Sequence, residues 1–144
     1  MNQDILTKAN ETVAKNSVMG GEFKGQICTL SLIDEDGFPT ASVLTPSKSD
    51  GIKWLTLCTL VDENRAKRAA KCGRASVSFG STEYCVNLVG EIEVITSPEA
   101  KQDMWYDGLS YHCTGPDDPN YCVLKFTTKR YKLFIDGEEI EGTI

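Results

Sequence analysis

Short β-forming runs follow one another along this chain, and tight turns rather than helices separate most of them. Residues 26–33 and 39–45 flank Asp34-Glu35-Asp36-Gly37, in which Asp-Gly is a strong hairpin signal. Ser49-Asp50-Gly51 precedes a third run, residues 52–60, rich in Leu and Thr and containing Trp54. Residues 75–79 and 84–96 make two more, the second long enough to bend at Gly90. Residues 121–126 and 131–135 close the series, with Lys129-Arg130 as the expected turn between them. Consecutive hairpins pair antiparallel. The pattern predicts a mainly β protein, a closed or nearly closed antiparallel barrel of about six to seven strands. A doubly wound sheet is excluded, because strands and helices do not alternate.

Three helices complete the plan. Ile5, Leu6, Ala9 and Val13 recur at helical spacing, with Asp4, Lys8, Glu11 and Lys15 opposite them, so the N-terminal segment 1–20 carries an amphipathic helix that ends near Asn16. Gly20, Gly21 and Gly25 mark a loop after it. Asp62 to Lys71 is rich in helix formers, with Asp62 or Asn64 as N-cap and Gly73 as the stop. Ser97-Pro98-Glu99 opens a third helix that carries Met104 and Trp105 and stops near Gly108. Residues 110–120 read as a loop, and residues 137–144, with Glu138, Glu139 and Glu141, as a loose acidic tail. The length of 144 residues fits one domain, 1–144, able to bury a core without staples.

Composition narrows the function. A net charge of −6 opposes binding to a phosphate polymer. No run approaches the ~18 apolar residues of a membrane span, and the N-terminus lacks the apolar stretch of a signal peptide. The expected setting is the cytoplasm. The six cysteines (Cys28, Cys58, Cys72, Cys85, Cys113, Cys122) include no Cys-x-x-Cys pair and have one histidine for company, so free thiols are expected and a metal site is not.

Five of the 15 basic residues, Arg65, Lys67, Arg68, Lys71 and Arg74, fall within ten positions. A helix N-terminus offers unpaired N–H groups and partial positive charge, and an arginine in its first turn adds a forked donor for phosphate. The plain alternative is a solvated helix face balanced by Asp62 and Glu63. His112 reads as a surface loop residue, and Asp117-Asp118 as loop caps rather than a calcium site. No motif announces a nucleophile, so the catalytic residues stay unassigned.

The whole layout resembles the pyridoxamine 5′-phosphate oxidase-like, FMN-binding split β-barrel family, and within it the short general-stress-protein type. Residues 30–39 resemble the family's first hairpin, and Thr59-Leu-Val-Asp-Glu-Asn-Arg65 its phosphate segment. Residues 74–79 and 88–94 resemble the next two strands. Met104-Trp-Tyr-Asp-Gly108, residues 115–126 and Tyr131-Lys-Leu-Phe-Ile135 resemble its closing region. The resemblance implies an FMN site at a homodimer interface. Ser42, Val43, Leu44 and Thr45 would run beside the isoalloxazine ring, and Thr59 would lie near the ring or ribityl chain. Asn64 and Arg65 would bind the phosphate with help from Arg68. Trp105 and Phe134 match aromatic positions that the partner subunit brings toward the flavin.

Some positions depart from the oxidases that give the family its name. Ser42 stands for a phosphate-gripping arginine, Glu63 for a serine, and Cys85 for a flavin-contacting glutamine. Their substrate-binding C-terminal arginine has no counterpart after Phe134. Pyridoxamine phosphate oxidation is therefore not expected. The resemblance implies an FMN-dependent oxidoreductase acting on an unidentified small molecule, with a nicotinamide as a candidate reductant. The competing readings are a non-catalytic flavin, deazaflavin or haem binding or sensing module, and a bare barrel acting through protein contacts.

Overall fold

A computed structural model describes residues 2–19 and 27–144. The expected glycine loop at 20–25 lies outside the described residues, as does Gln26 at the start of the first expected strand. The chain forms α1 (Asn2–Lys15), β1 (Cys28–Ile33), β2 (Pro39–Leu44), β3 (Pro46–Ser49), β4 (Trp54–Leu60) and α2 (Asn64–Lys71). These are followed by β5 (Arg74–Gly80), β6 (Tyr84–Ile95), α3 (Pro98–Asp103), a 3-10 helix at Asp107–Tyr111, β7 (Tyr121–Ile135) and β8 (Glu138–Thr143).

The strands make one antiparallel sheet in the order β2-β1-β5-β6-β7-β4-β3, with β8 paired to β7 off that path. Strands β2 and β3 stand at opposite ends of this order, yet Thr45 alone separates them in sequence. A one-residue link spans at most about 7 Å from Leu44 to Pro46, so the sheet must curl until its two edges meet. The protein is a split β-barrel.

Side chains alternate as the pleat requires. Strand β1 buries Cys28, Leu30 and Leu32, and β5 buries Ala75, Val77 and Phe79. These join Leu55, Leu57, Val86, Leu88, Leu124, Phe126 and Leu133 in the barrel core. Ile5, Ala9 and Val13 of α1 complete it, which fixes the helix on the barrel. Asn10 Oδ1 of α1 accepts from the Ile52 amide at 2.8 Å, pinning the helix to the turn before β4.

Several boundaries differ from the sequence reading. Lys129-Arg130 is not a turn, because β7 runs unbroken for 15 residues. The two charges mark a solvent-facing stretch in which Lys129 Nζ meets Glu91 at 3.0 Å. The ladder irregularity sits opposite, where the register shifts between Val89 and Gly90. A Cβ on Gly90 would lie 2.0 Å from the Thr127 carbonyl oxygen, so glycine lets the two backbones pass.

The acidic end is not loose either. Asp136 and Gly137, at φ 53° and 78°, form a tight turn that returns β8 onto β7. Lys132 Nζ there lies 3.2 Å from Glu139 and 3.6 Å from Glu141. Residues 46–48, unassigned in the sequence reading, and Ser49, expected in a turn, form β3 as a short edge strand. The run expected from Ile52 starts at Trp54, because residues 50–53 turn, with the Lys53 amide donating to Asp50 O. The third helix ends at Asp103 rather than near Gly108, which leaves Met104 and Trp105 to pack against a second apolar cluster.

Candidate functional site

Helix α2 starts at Asn64, with Glu63 in the N-cap position making no side-chain cap bond, so neither Asp62 nor Asn64 caps it. Its first backbone amides are left for another acceptor. Ala66 and Ala69 are buried against the barrel, so the helix presents Arg65 and Arg68 sideways along the neighbouring surface.

Two concave regions meet at this helix start. A cleft of about 390 Å3 is walled by Leu44, Thr45 and β4 residues Cys58, Thr59 and Leu60 on one side. Tyr106, Leu109, Tyr111, His112 and Cys113 line the other side, and Glu63 and Arg65 stand between. A smaller pocket of about 220 Å3 lies beyond Arg65, lined among others by Thr40, Ser42, Asn64 and Arg68. Arg65 and Glu63 border both.

Seven residues of the sequence-derived site thus converge: Ser42, Leu44, Thr45, Thr59, Asn64, Arg65 and Arg68. The others stand apart within one chain. Val43 alternates outward on β2 and is 58% exposed. Trp105 packs edge-to-face on Tyr121, centroids 5.5 Å apart. Phe134 is exposed on β7, opposite Cys85 of β6 and Glu139 of β8.

Three buried side-chain polar atoms among the described residues lack a hydrogen-bond partner: Thr128 Oγ1 on β7, which does not line the cleft, and two at the cleft itself. Thr59 is 7% exposed and its Oγ1 has no hydrogen-bond partner among the described residues; Arg65 Nε is also buried and unpartnered. Buried polar atoms normally find partners, so two orphans bordering one cleft mark where a polar ligand fits. Arg68 is engaged instead. Its Nε donates to Glu35 Oε1 at 3.1 Å, Nη2 to Glu35 Oε2 at 3.5 Å and Nη1 to Thr40 Oγ1 at 3.4 Å. The Arg68 guanidinium in turn holds the Glu35 carboxyl below its ordinary range.

Two of the lining residues, Leu109 and Cys113, belong to a separate small cluster with Tyr121 and Val123. Tyr121 Oη donates to Lys101 O at 2.9 Å, and Lys101 Nζ donates to Asp118 O at 2.8 Å. Burial pushes the Cys58 and Cys113 thiols up and raises Tyr106 to about 12, so these groups stay protonated. All six cysteines are free thiols. Among the described residues no group of three or more His, Cys, Asp or Glu could hold a metal. No helix described is long and apolar enough to cross a membrane.

Tyr106, Leu109, Tyr111 and Cys113 were missed by sequence reasoning. They sit in and around a 3-10 helix, which carries neither the 3.6 nor the 2 residue period. His112 is the exposed surface residue the sequence suggests, in the turn after the 3-10 helix, where it also borders the cleft. Asp118 does cap its loop, its carboxylate accepting from the Thr114 amide at 3.0 Å and the Asn120 amide at 2.9 Å.

A curled antiparallel barrel with a helix start and two orphaned polar groups on one cleft defines a split barrel equipped for a polar ligand. The profile of the pyridoxamine 5′-phosphate oxidase family matches residues 23–134, and the chain belongs to that family. Among solved structures, it is similar to a Clostridium acetobutylicum protein related to general stress protein 26 of B. subtilis. That match has 25% identity and a TM-score of 0.82, over 100% of this chain and 97% of the other. A pyridoxamine 5′-phosphate oxidase-related, FMN-binding protein from Nostoc punctiforme shares the fold at 14% identity, TM-score 0.66, covering 93% of both chains. A heme-binding protein from Mycobacterium smegmatis shares it at 20% identity and TM-score 0.68, over 94% of this chain and 57% of that one. No curated protein matches the sequence.

Proposed function

We propose that this chain is a cytoplasmic FMN-binding flavoprotein that works as an oxidoreductase on a small molecule, with its flavin site completed in a homodimer. The observation that carries the reading is the pair of orphaned polar atoms, Thr59 Oγ1 and Arg65 Nε, beside the start of α2, which no side chain caps. Asn64, Arg65 and the helix start would hold the phosphate, with Ser42 lining the same pocket. Leu44, Thr45 and Thr59 would take the ribityl chain and ring. When bound, FMN supplies hydride or single-electron transfer, and the chain's own groups bind, orient and shield it. A phosphate oxygen that accepts from an orphaned donor breaks no existing hydrogen bond, so Arg65 would be the strongest anchor on this surface.

Homodimerisation is supported by exposed apolar side chains on and beside the β2 edge, Val43 at 58% and Phe38 at 66%. Within one chain Trp105 and Phe134 lie off the cleft, and a partner subunit is what would bring them to it.

The test is a visible absorption spectrum of the purified protein followed by flavin titration. FMN should bind with a perturbed flavin spectrum. Arg65→Ala should weaken FMN by roughly 1.5–3 kcal/mol, about ten- to a hundredfold or more, and leave riboflavin nearly unchanged. A Soret band with no flavin uptake would replace FMN by haem, and equal losses for both flavins would move the phosphate away from Arg65. Sedimentation of the flavin-loaded protein as a monomer at micromolar concentration would refute the interfacial site.

A further inference from the structure

Arg65 and Arg68 lie one helical turn apart on α2 and border the same small pocket, but their surroundings differ. Arg65 has an orphaned Nε, whereas Arg68 is gripped at two points by Glu35. Glu35 belongs to the β1–β2 turn, and that turn is tightly built. Asp34 Oδ1 accepts from the amides of Asp36 at 3.0 Å and Phe38 at 2.9 Å, and the Asp34 amide donates to Phe38 O at 2.8 Å. Glu35 is thereby presented toward α2 by a fixed turn. The cation is the sheltered member of the pair, with side-chain exposures of 23% for Arg68 and 57% for Glu35.

The two guanidiniums that border the pocket, Arg65 and Arg68, are thus opposed by two carboxylates: Glu63, which also borders it, and Glu35, which is bonded to Arg68 and also feels Lys71. A phosphate entering beside Arg65 meets a guanidinium whose best donors already hold a carboxylate. To use those donors it must either share Arg68 with Glu35, placing two anions on one fork, or push Glu35 into solvent. Both routes penalise the phosphate and neither touches an uncharged ligand.

We propose that Glu35 is the specificity-determining residue of this pocket, a built-in carboxylate that competes with a ligand's phosphate monoester for Arg68. The proposal rests on the phosphate reading of the pocket given above. Glu35 lowers affinity for phosphorylated ligands while leaving the same ring without phosphate unaffected. The strength of the competition follows that of a largely exposed ion pair, a factor of about two to five.

The experiment titrates FMN, riboflavin and inorganic phosphate separately against wild type, Glu35→Gln, Arg68→Gln and the double variant, at low ionic strength. Glu35→Gln should tighten both FMN and inorganic phosphate about two- to fivefold and leave riboflavin unchanged. The gain should disappear in the Arg68→Gln background, and raising the salt should shrink it. Unchanged or weaker phosphate and FMN binding on Glu35→Gln, no measurable phosphate binding at all, or a gain that survives Arg68→Gln would each overturn the proposal. If inorganic phosphate follows the expected pattern while FMN binds no better than riboflavin in every variant, the role of Glu35 stands and the flavin reading falls.

Discussion

The barrel core and the small cluster beneath the 3-10 helix share strand β7, yet they bury different chemistry. The core is almost wholly aliphatic and aromatic, from Leu30 and Val77 to Leu88 and Phe126, and is closed on one side by α1. The small cluster combines Tyr121 with Cys113, and Cys58, Met104 and Trp105 pack at its edge. A hydrogen-bond chain from Tyr121 through Lys101 to the Asp118 carbonyl threads it. The first region makes a rigid container. The second forms a wall that a ligand can approach, and the orphaned Thr59 and Arg65 groups face the same cleft. The candidate site lies where the apolar core stops and buried polar groups are left without partners.

The sharpest way to break the comparison is at the container. Gly90→Ala puts a methyl group 2.0 Å from the Thr127 carbonyl oxygen, and backbone cannot swing aside as a long side chain can. The expected loss is about 3 kcal/mol, a fall in Tm on the order of 10 °C. The control is Gly80→Ala, where nothing lies within 4 Å, and it should change stability by less than about 0.5 kcal/mol. Thermal unfolding of both variants decides it, and equal effects would mean that the β6–β7 crossing tolerates a wider spacing.

The same contrast explains what could be read in the sequence. Alternation and Asp-Gly turns are local signals, so most strands and the barrel class were legible, as were α1 and the Ser97 cap. Lys129-Arg130 misled because a charged pair on the outside of a long strand looks like a turn; what distinguishes the two is Gly90, 40 positions away. Asp136-Gly137 carried the same hairpin signal as Asp36-Gly37, but the glutamates after it masked a strand whose exposed face they decorate. Ser42, Leu44, Thr45, Thr59, Asn64, Arg65 and Arg68 could be placed by resemblance. The opposite wall, Tyr106 to Cys113, could not, because it depends on a 3-10 helix without periodicity. The grip of Glu35 on Arg68 was equally hidden, since 33 residues separate the partners.

The small cluster is tested next. Tyr121→Phe removes the hydroxyl that donates to Lys101 O at 2.9 Å in a fully buried position. Stability should fall by about 1–2 kcal/mol, because the Lys101 carbonyl loses its partner. Chemical denaturation measures this, and a loss under about 0.5 kcal/mol would show that polar satisfaction does not hold the cluster together. A smaller effect is expected at the mouth, where Glu63 borders both concave regions. Glu63→Ser should tighten FMN about two- to threefold without changing riboflavin, since it removes one exposed carboxylate from a phosphate site. Equal gains for both flavins would locate Glu63 beside the ring instead.

The smallest expected effect concerns the loop that leads from the 3-10 helix into β7. Asp118 accepts from the Thr114 and Asn120 amides, and these backbone bonds hold its carboxyl below the ordinary value of 3.8. A carboxyl whose folded-state value is depressed binds its proton more readily in the unfolded chain. Its contribution to stability is therefore complete above the ordinary value and is lost as pH falls through the lowered folded-state value. Asp118→Asn keeps the shape but has no charge to lose, so wild type should exceed it in stability near neutral pH. That advantage should shrink once the pH drops below 3.8. Denaturation midpoints of the two proteins across the acid range give the curve directly. A difference that stays constant with pH would mean that the cap acts through its hydrogen-bonding shape and not through its charge.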